Sequence, residues 1–168
     1  MMTPTPLSTA AIVDGCARVI AGIIGGHVFA AGVTQSVTDV APQVVPVADD
    51  FTEGGFPAVT CALGKWESLL QPGNERLHID IVGAVWRPRV PLGANTAALY
   101  ADRDAIADAW IAHTKAYLAD YHIQSAVLMG GPGIVPRSIP AGDQQRVLLT
   151  LPFTVEVKTN RFVIPQPS

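Results

Sequence analysis

From Val147 to Val157 every second residue is large and apolar. Val147, Leu149, Leu151, Phe153, Val155 and Val157 point one way, and Arg146, Leu148, Thr150, Pro152, Thr154, Glu156 and Lys158 point the other. Side chains alternate across a strand, so this pattern predicts a long strand with one buried face. Pro152 offers no N–H to a neighbour, which places the strand at an edge or at a bulge there. Arg76 to Trp86 repeats the pattern: Leu77, Ile79, Ile81 and Val85 alternate with His78, Asp80, Ala84 and Trp86. Arg87-Pro88-Arg89-Val90-Pro91 ends that strand, because two prolines remove ladder donors.

Two segments carry helical spacing instead. Ile12, Cys16, Val19/Ile20 and Ile23 form one apolar stripe. Ser8 or Thr9 is placed to cap its start with Asp14 near the positive end, and Gly25-Gly26 to stop it. The longer helix is capped by Asn95 or Thr96 and runs to about Tyr121. Leu99, Ile106, Trp110, Tyr117 and Tyr121 share one face, and Asp102, Asp104 and Asp108 sit in the first half, where negative charge is favourable.

The rest is less regular. Val28-Phe29 and Val44-Val45 read as short strands, the second held at an edge by Pro42 and Pro46. Pro57 to Leu63 reads as a strand and Gly64 to Gly73 as a loop containing Trp66. Gly130-Gly131-Pro132-Gly133 is a turn-rich linker before a short Ile134-Val135-Pro136 segment. Extended arms are expected at about residues 1–7 and 159–168. The order of helix, strands, long helix and long strand predicts a single α+β domain, a mainly antiparallel sheet with two principal helices packed on it.

Composition sharpens this. The chain has 168 residues, 49% hydrophobic and only 15% charged, against about 25% charged in typical soluble domains. So few charges leave either apolar surface that meets a partner, such as further copies of the chain, or a large dry core with Ala- and Gly-rich loops. A net charge of −3, with Lys and Arg scattered, argues against a protein that grips nucleic acid by neutralising phosphates. Val19 to Thr38 is free of Asp, Glu, Lys and Arg over the length of a membrane span. It is broken by Gly22, Gly25, Gly26 and Gly32 and by polar residues, so a soluble, cytoplasmic chain is expected.

No constellation of residues in the sequence forms a recognisable chemical site. No G-x-S-x-G elbow surrounds Ser8, Ser36, Ser68, Ser125 or Ser138. Cys16 and Cys61 match no metal or redox spacing and are expected as two buried thiols in a reducing compartment; spacing alone does not decide a disulfide. His27, His78, His113 and His122 have no ligand spacing. His78 and Asp80 project to the same side of a strand as a possible pair, though a solvated strand face is the simpler reading. The Gly130–Gly133 run lacks the Lys-Ser/Thr of a phosphate loop. No catalytic, cofactor or metal residue is assigned. The candidate interaction residues are Arg87 and Arg89, expected to project into solvent from the strand-ending loop, and Arg161 and Phe162 in the C-terminal arm.

Taken together, the capped helix ending at Gly25-Gly26, the strand RLHIDIVGAVW, the helix TAALYADRDAIADAWIAHTKAYL and the strand RVLLTLPFTVEV resemble the tail terminator, or tail-completion, proteins of long-tailed double-stranded DNA bacteriophages. The resemblance spans nearly the whole chain apart from its proline-rich ends and residues 27–56. It implies a structural virion protein at the tail neck, assembled in the host cytoplasm. It implies a ring, usually of six copies, that docks on the last ring of tail tube protein and stops its polymerisation. The ring would offer a surface to the head–tail connector or stopper and leave a lumen through which DNA passes without specific binding. No substrate would be turned over.

Overall fold

A computed structural model of the chain describes residues 5–28, 31–34, 43–46, 56–71, 74–88, 94–130, 133–141 and 144–163. In chain order the elements are β1 (Thr5–Pro6), α1 (Thr9–Ile24), β2 (His27–Val28), β3 (Ala31–Thr34), β4 (Gln43–Pro46), β5 (Ala58–Gln71), β6 (Asn74–Pro88), α2 (Ala94–Asp120), β7 (Ser125–Gly130), β8 (Val135–Ala141), β9 (Gln144–Asn160) and β10 (Phe162–Val163). The α+β class read from the sequence is the class observed.

The main sheet has strand order β2-β5-β6-β9-β7, with β8 pairing the part of β9 that β7 does not reach. All its pairings are antiparallel except β2 with β5. β3 and β4 form a separate antiparallel pair, and β1 pairs with β10, so the two ends of the described chain meet.

The first helix forms as its sequence dictates. The Ser8 hydroxyl accepts the Ala11 N–H, satisfying one orphan donor at the N-terminus. At the other end Gly25 adopts φ 65°, a left-handed conformation that costs glycine nothing, and its N–H returns to the Ala21 carbonyl. Asp14 serves an i,i+4 pair with Arg18 at 2.7 Å rather than the first turn.

Both helices lie on one face of the sheet. Ile12, Cys16 and Ile20 of α1 and Leu99, Ile106, Trp110 and Tyr117 of α2 pack against Leu77, Ile79, Ile81 and Val85 of β6 and Leu149 to Val157, alternately, of β9. Each Ile, Leu or Val buried this fully contributes roughly 1.5–3 kcal/mol. Two aromatic polar groups of this core are paired: the Tyr117 hydroxyl donates to the Ile12 carbonyl at 2.8 Å and the Trp110 indole N–H to the Ala126 carbonyl at 3.3 Å. Gly83 is where β6 carries the ring of Phe153; a Cβ there would lie 2.4 Å from that ring and 2.8 Å from the Thr60 carbonyl oxygen.

The opposite face is divided. At one end Ala58, Ala84, Trp86 and Leu148 form a second buried cluster with Phe56 against it, and the Trp86 indole donates to Thr60 Oγ1 at 2.9 Å. The other end is polar.

Several expectations change. The segment read as a loop from Gly64 to Gly73 is strand as far as Gln71, because the register shifts between Leu63 and Lys65. A bulge moves the apolar residues to the other parity, so alternation breaks without the strand ending. Pro152 is not on an edge strand, since β9 has neighbours on both sides. Its missing donor falls where β7 stops opposite Phe153 and β8 starts opposite Thr150. Asn95 does not cap α2; it lies inside the first turn and its amide donates to the Pro88 carbonyl at 2.5 Å. Ser125–Gly130, without a sequence prediction, is β7, and the short segment after Gly133 extends to Ala141 as β8.

Candidate functional site

Register builds the polar end of the sheet. His78 and Asp80 alternate with core residues of β6, and Glu156 and Lys158 with core residues of β9, so all four face away from the helices. The β6–β9 register sets Asp80 opposite Glu156 and His78 opposite Lys158. On the other side β5 sets Lys65 opposite Asp80 and Glu67 opposite His78. Two rows of mixed charge result.

Within them His78 Nε2 lies 3.6 Å from Asp80 Oδ1 and 3.5 Å from Glu156 Oε2. The Lys158 ammonium meets the other oxygen of Glu156 at 3.2 Å, and Lys65 meets Glu67 at 3.2 Å. Lys158 first, and then the neighbouring imidazole, hold the Glu156 carboxyl below its usual range against the opposing effect of burial. His78 and Asp80 are thus brought together as the sequence allowed. Glu156, which sequence reasoning placed only on a polar strand face, completes the group from a strand 76 positions away.

Arg87 and Arg161, of the described interaction candidates, are engaged by other side chains of the chain. Arg87 does not project into solvent. It grips Asp102 with two parallel bonds, Nε to Oδ2 at 2.7 Å and Nη2 to Oδ1 at 2.9 Å, and Asp102 is 6% exposed. This pairing, rather than the helix N-terminus, accounts for Asp102, which lies two turns into α2. Arg161 binds Glu75 at 2.8 Å and lies over the rings of Trp66 and Phe162. The Ser68 hydroxyl also donates to Glu75, and together Ser68 and Arg161 hold that carboxyl below its usual range. Phe162 is half-buried in β10. Arg89 lies outside the described residues.

The cysteines do meet. Cys16 of α1 and Cys61 of β5 are in thiol–thiol contact; that hydrogen bond, and then burial, push the Cys61 thiol well above its ordinary pKa. Such a thiol is a poor nucleophile. No helix among the described residues is long and apolar enough to cross a membrane.

What remains exposed and apolar is concentrated at the sheet's borders. Apart from Tyr100 and Ile111 on α2, the exposed large apolar side chains among the described residues are Val28 of β2, Leu63, Trp66, Leu69 and Leu70 of β5, and Val127 and Met129 of β7. Beyond Val59, no strand among the described residues pairs with the outer side of β5, although β3 and β4 pack near it, and β7 pairs only with β9. Beside β7, Ile106, Leu128, Met129, Leu151 and Phe153 line an apolar groove of about 420 Å³.

Compared with known proteins, the chain matches no protein-family model and no curated protein by sequence.

Proposed function

We propose that the chain is a structural tail terminator of a long-tailed bacteriophage, acting by binding and geometry rather than by turnover. It would close into a ring on the head-proximal end of the tail tube and stop tube growth. The opposite surface would then meet the head–tail connector or stopper.

The observation that carries this reading is the placement of exposed apolar residues on two different sheet edges, β5 beyond Val59 and β7, that no further strand pairs with among the described residues. Unpaired edges are templates for another chain, and monomeric proteins blunt them with charge, proline or a covering element. Here β5 bears exposed Leu63, Leu69 and Leu70, with the single charged pair Lys65–Glu67 between them, and β7 bears Val127 and Met129. The two edges are not the same patch, so a contact between them is head-to-tail. Such contacts generate rings when the rotation closes and filaments when it does not.

Native mass and negative-stain images of the purified chain, alone and with tail tube protein, test the proposal. Closed rings that cap tubes and arrest their elongation are expected. A monomer in both conditions would overturn the reading, and long tubes of the chain alone would reassign it to a tube subunit.

A further inference from the structure

The polar end of the sheet holds a group of side chains that the ring-forming role does not use. His78, Asp80 and Glu156 each present one donor atom, and the three atoms lie within 4.8 Å of one another. The imidazole Nε2 and Asp80 Oδ1 are closed off from solvent and have no hydrogen-bond partner. Occluded polar atoms are nearly always satisfied by protein, water or an ion. The three side chains as a whole are half-buried, at 23%, 31% and 28% exposure, so the group lies at the surface of the sheet with two of its donor atoms covered.

We propose that His78, Asp80 and Glu156 form a binding site for one divalent transition-metal ion, with zinc the best match to the donor set. One imidazole and two carboxylates suit zinc better than magnesium or calcium, which prefer all-oxygen shells. Spacing agrees. Zinc–ligand bonds of about 2.0–2.2 Å in a tetrahedron require donor atoms roughly 3.3–3.6 Å apart. Nε2 stands 3.6 Å from Asp80 Oδ1 and 3.5 Å from Glu156 Oε2, and the two carboxylate oxygens lie within 4.8 Å of each other, so the imidazole is already at ligand spacing from both. A fourth position is left for water.

The surrounding charges fit one added cation. Glu67, Asp80 and Glu156 stand against Lys65 and Lys158 on this face. Lys158 already occupies the far oxygen of Glu156 and competes for its charge. The ion would bridge β6 to β9 across the middle of the sheet, tying together the strands that carry the core.

Titration of chelator-treated protein with ZnCl₂ at neutral pH, followed calorimetrically, is expected to give one zinc per chain. Co²⁺ is expected to give a d–d absorption spectrum without the charge-transfer band of a thiolate ligand, which separates this site from Cys16 and Cys61. His78→Gln, Asp80→Asn and Glu156→Gln should each weaken binding by about 100-fold or more, since loss of an outer-shell partner alone costs 10–100-fold. Lys158→Met should tighten it. Zinc should raise the melting temperature of the wild type and leave that of the near-isosteric Glu156→Gln variant unchanged. No zinc bound by the wild type, a thiolate band with Co²⁺, or binding that survives all three substitutions would overturn the proposal. None of these outcomes depends on whether rings form.

Discussion

The Arg87–Asp102 pair offers a test in which burial, and not distance, decides the magnitude. Arg87 Nε lies 2.7 Å from Asp102 Oδ2, the same separation as Arg18 Nη2 from Asp14 Oδ2. The side chains of the first pair are 20% and 8% exposed, those of the second 70% and 49%. Removing one member of a buried pair strands the other charge away from water and costs about 3–5 kcal/mol. An exposed i,i+4 pair contributes only about 0.3–0.5 kcal/mol. Partial exposure of the guanidinium places Arg87→Met at the low end, about 3 kcal/mol. For a chain of this size that lowers the melting temperature by roughly 6–12 °C, at about 2–4 °C per kcal/mol. Arg18→Met should cost less than about 1 kcal/mol. Arg87→Lys should fall between, keeping charge but losing the two-pronged geometry. The double variant Arg87→Met/Asp102→Leu should recover most of the loss, because apolar replacement of both partners is often neutral or better. Urea unfolding at one fixed protein concentration measures all four, since association would otherwise shift apparent stability by mass action. If Arg87→Met costs no more than Arg18→Met, the pair does not anchor α2 to β6 and the argument fails.

Two glycines should respond in opposite directions. Gly83→Ala forces a methyl into the Phe153 ring and the Thr60 carbonyl and is expected to cost at least about 1–3 kcal/mol; Phe153→Leu should rescue it only in part, since the carbonyl stays. Gly22→Ala, with nothing near its added methyl, should stabilise α1 by about 0.5–1 kcal/mol. At alkaline pH, Cys61 and Tyr117 hold their protons longer folded than unfolded. Cys61 does so through Cys16 and burial, Tyr117 through burial first and then the nearby Cys16. Their contribution is complete below the ordinary thiol and phenol pKa values and is lost as pH rises into the window above them. Chemical unfolding from pH 8 to 11 should show falling stability, with a shallower slope in Cys61→Ala; an unchanged slope would refute the thiol's part. Replacing Leu70 and Met129 by Glu should leave the fold intact by circular dichroism and abolish rings in native mass spectra.

What the sequence determined by itself is what lies within a few residues. The Ser8 cap, the Gly25 stop, the α1 and α2 stripes and the alternation in β6 and β9 are local patterns, and each stands as its residues required. Local patterns also misled. Gly64 looked like the end of a strand because a bulge and a turn both interrupt alternation, and only the β6 neighbour distinguishes them. The open gap that tolerates Pro152 is made by β7 and β8, neither of which its own segment could announce. Long-range meetings were decided by the tertiary structure alone: Arg87 with Asp102, Cys16 with Cys61, and Glu156 with His78 and Asp80. Periodicity tells which way a side chain points from its own strand. It carries no information on which strand lies alongside or in what register, and shifting β9 by one residue would turn Glu156 into the core.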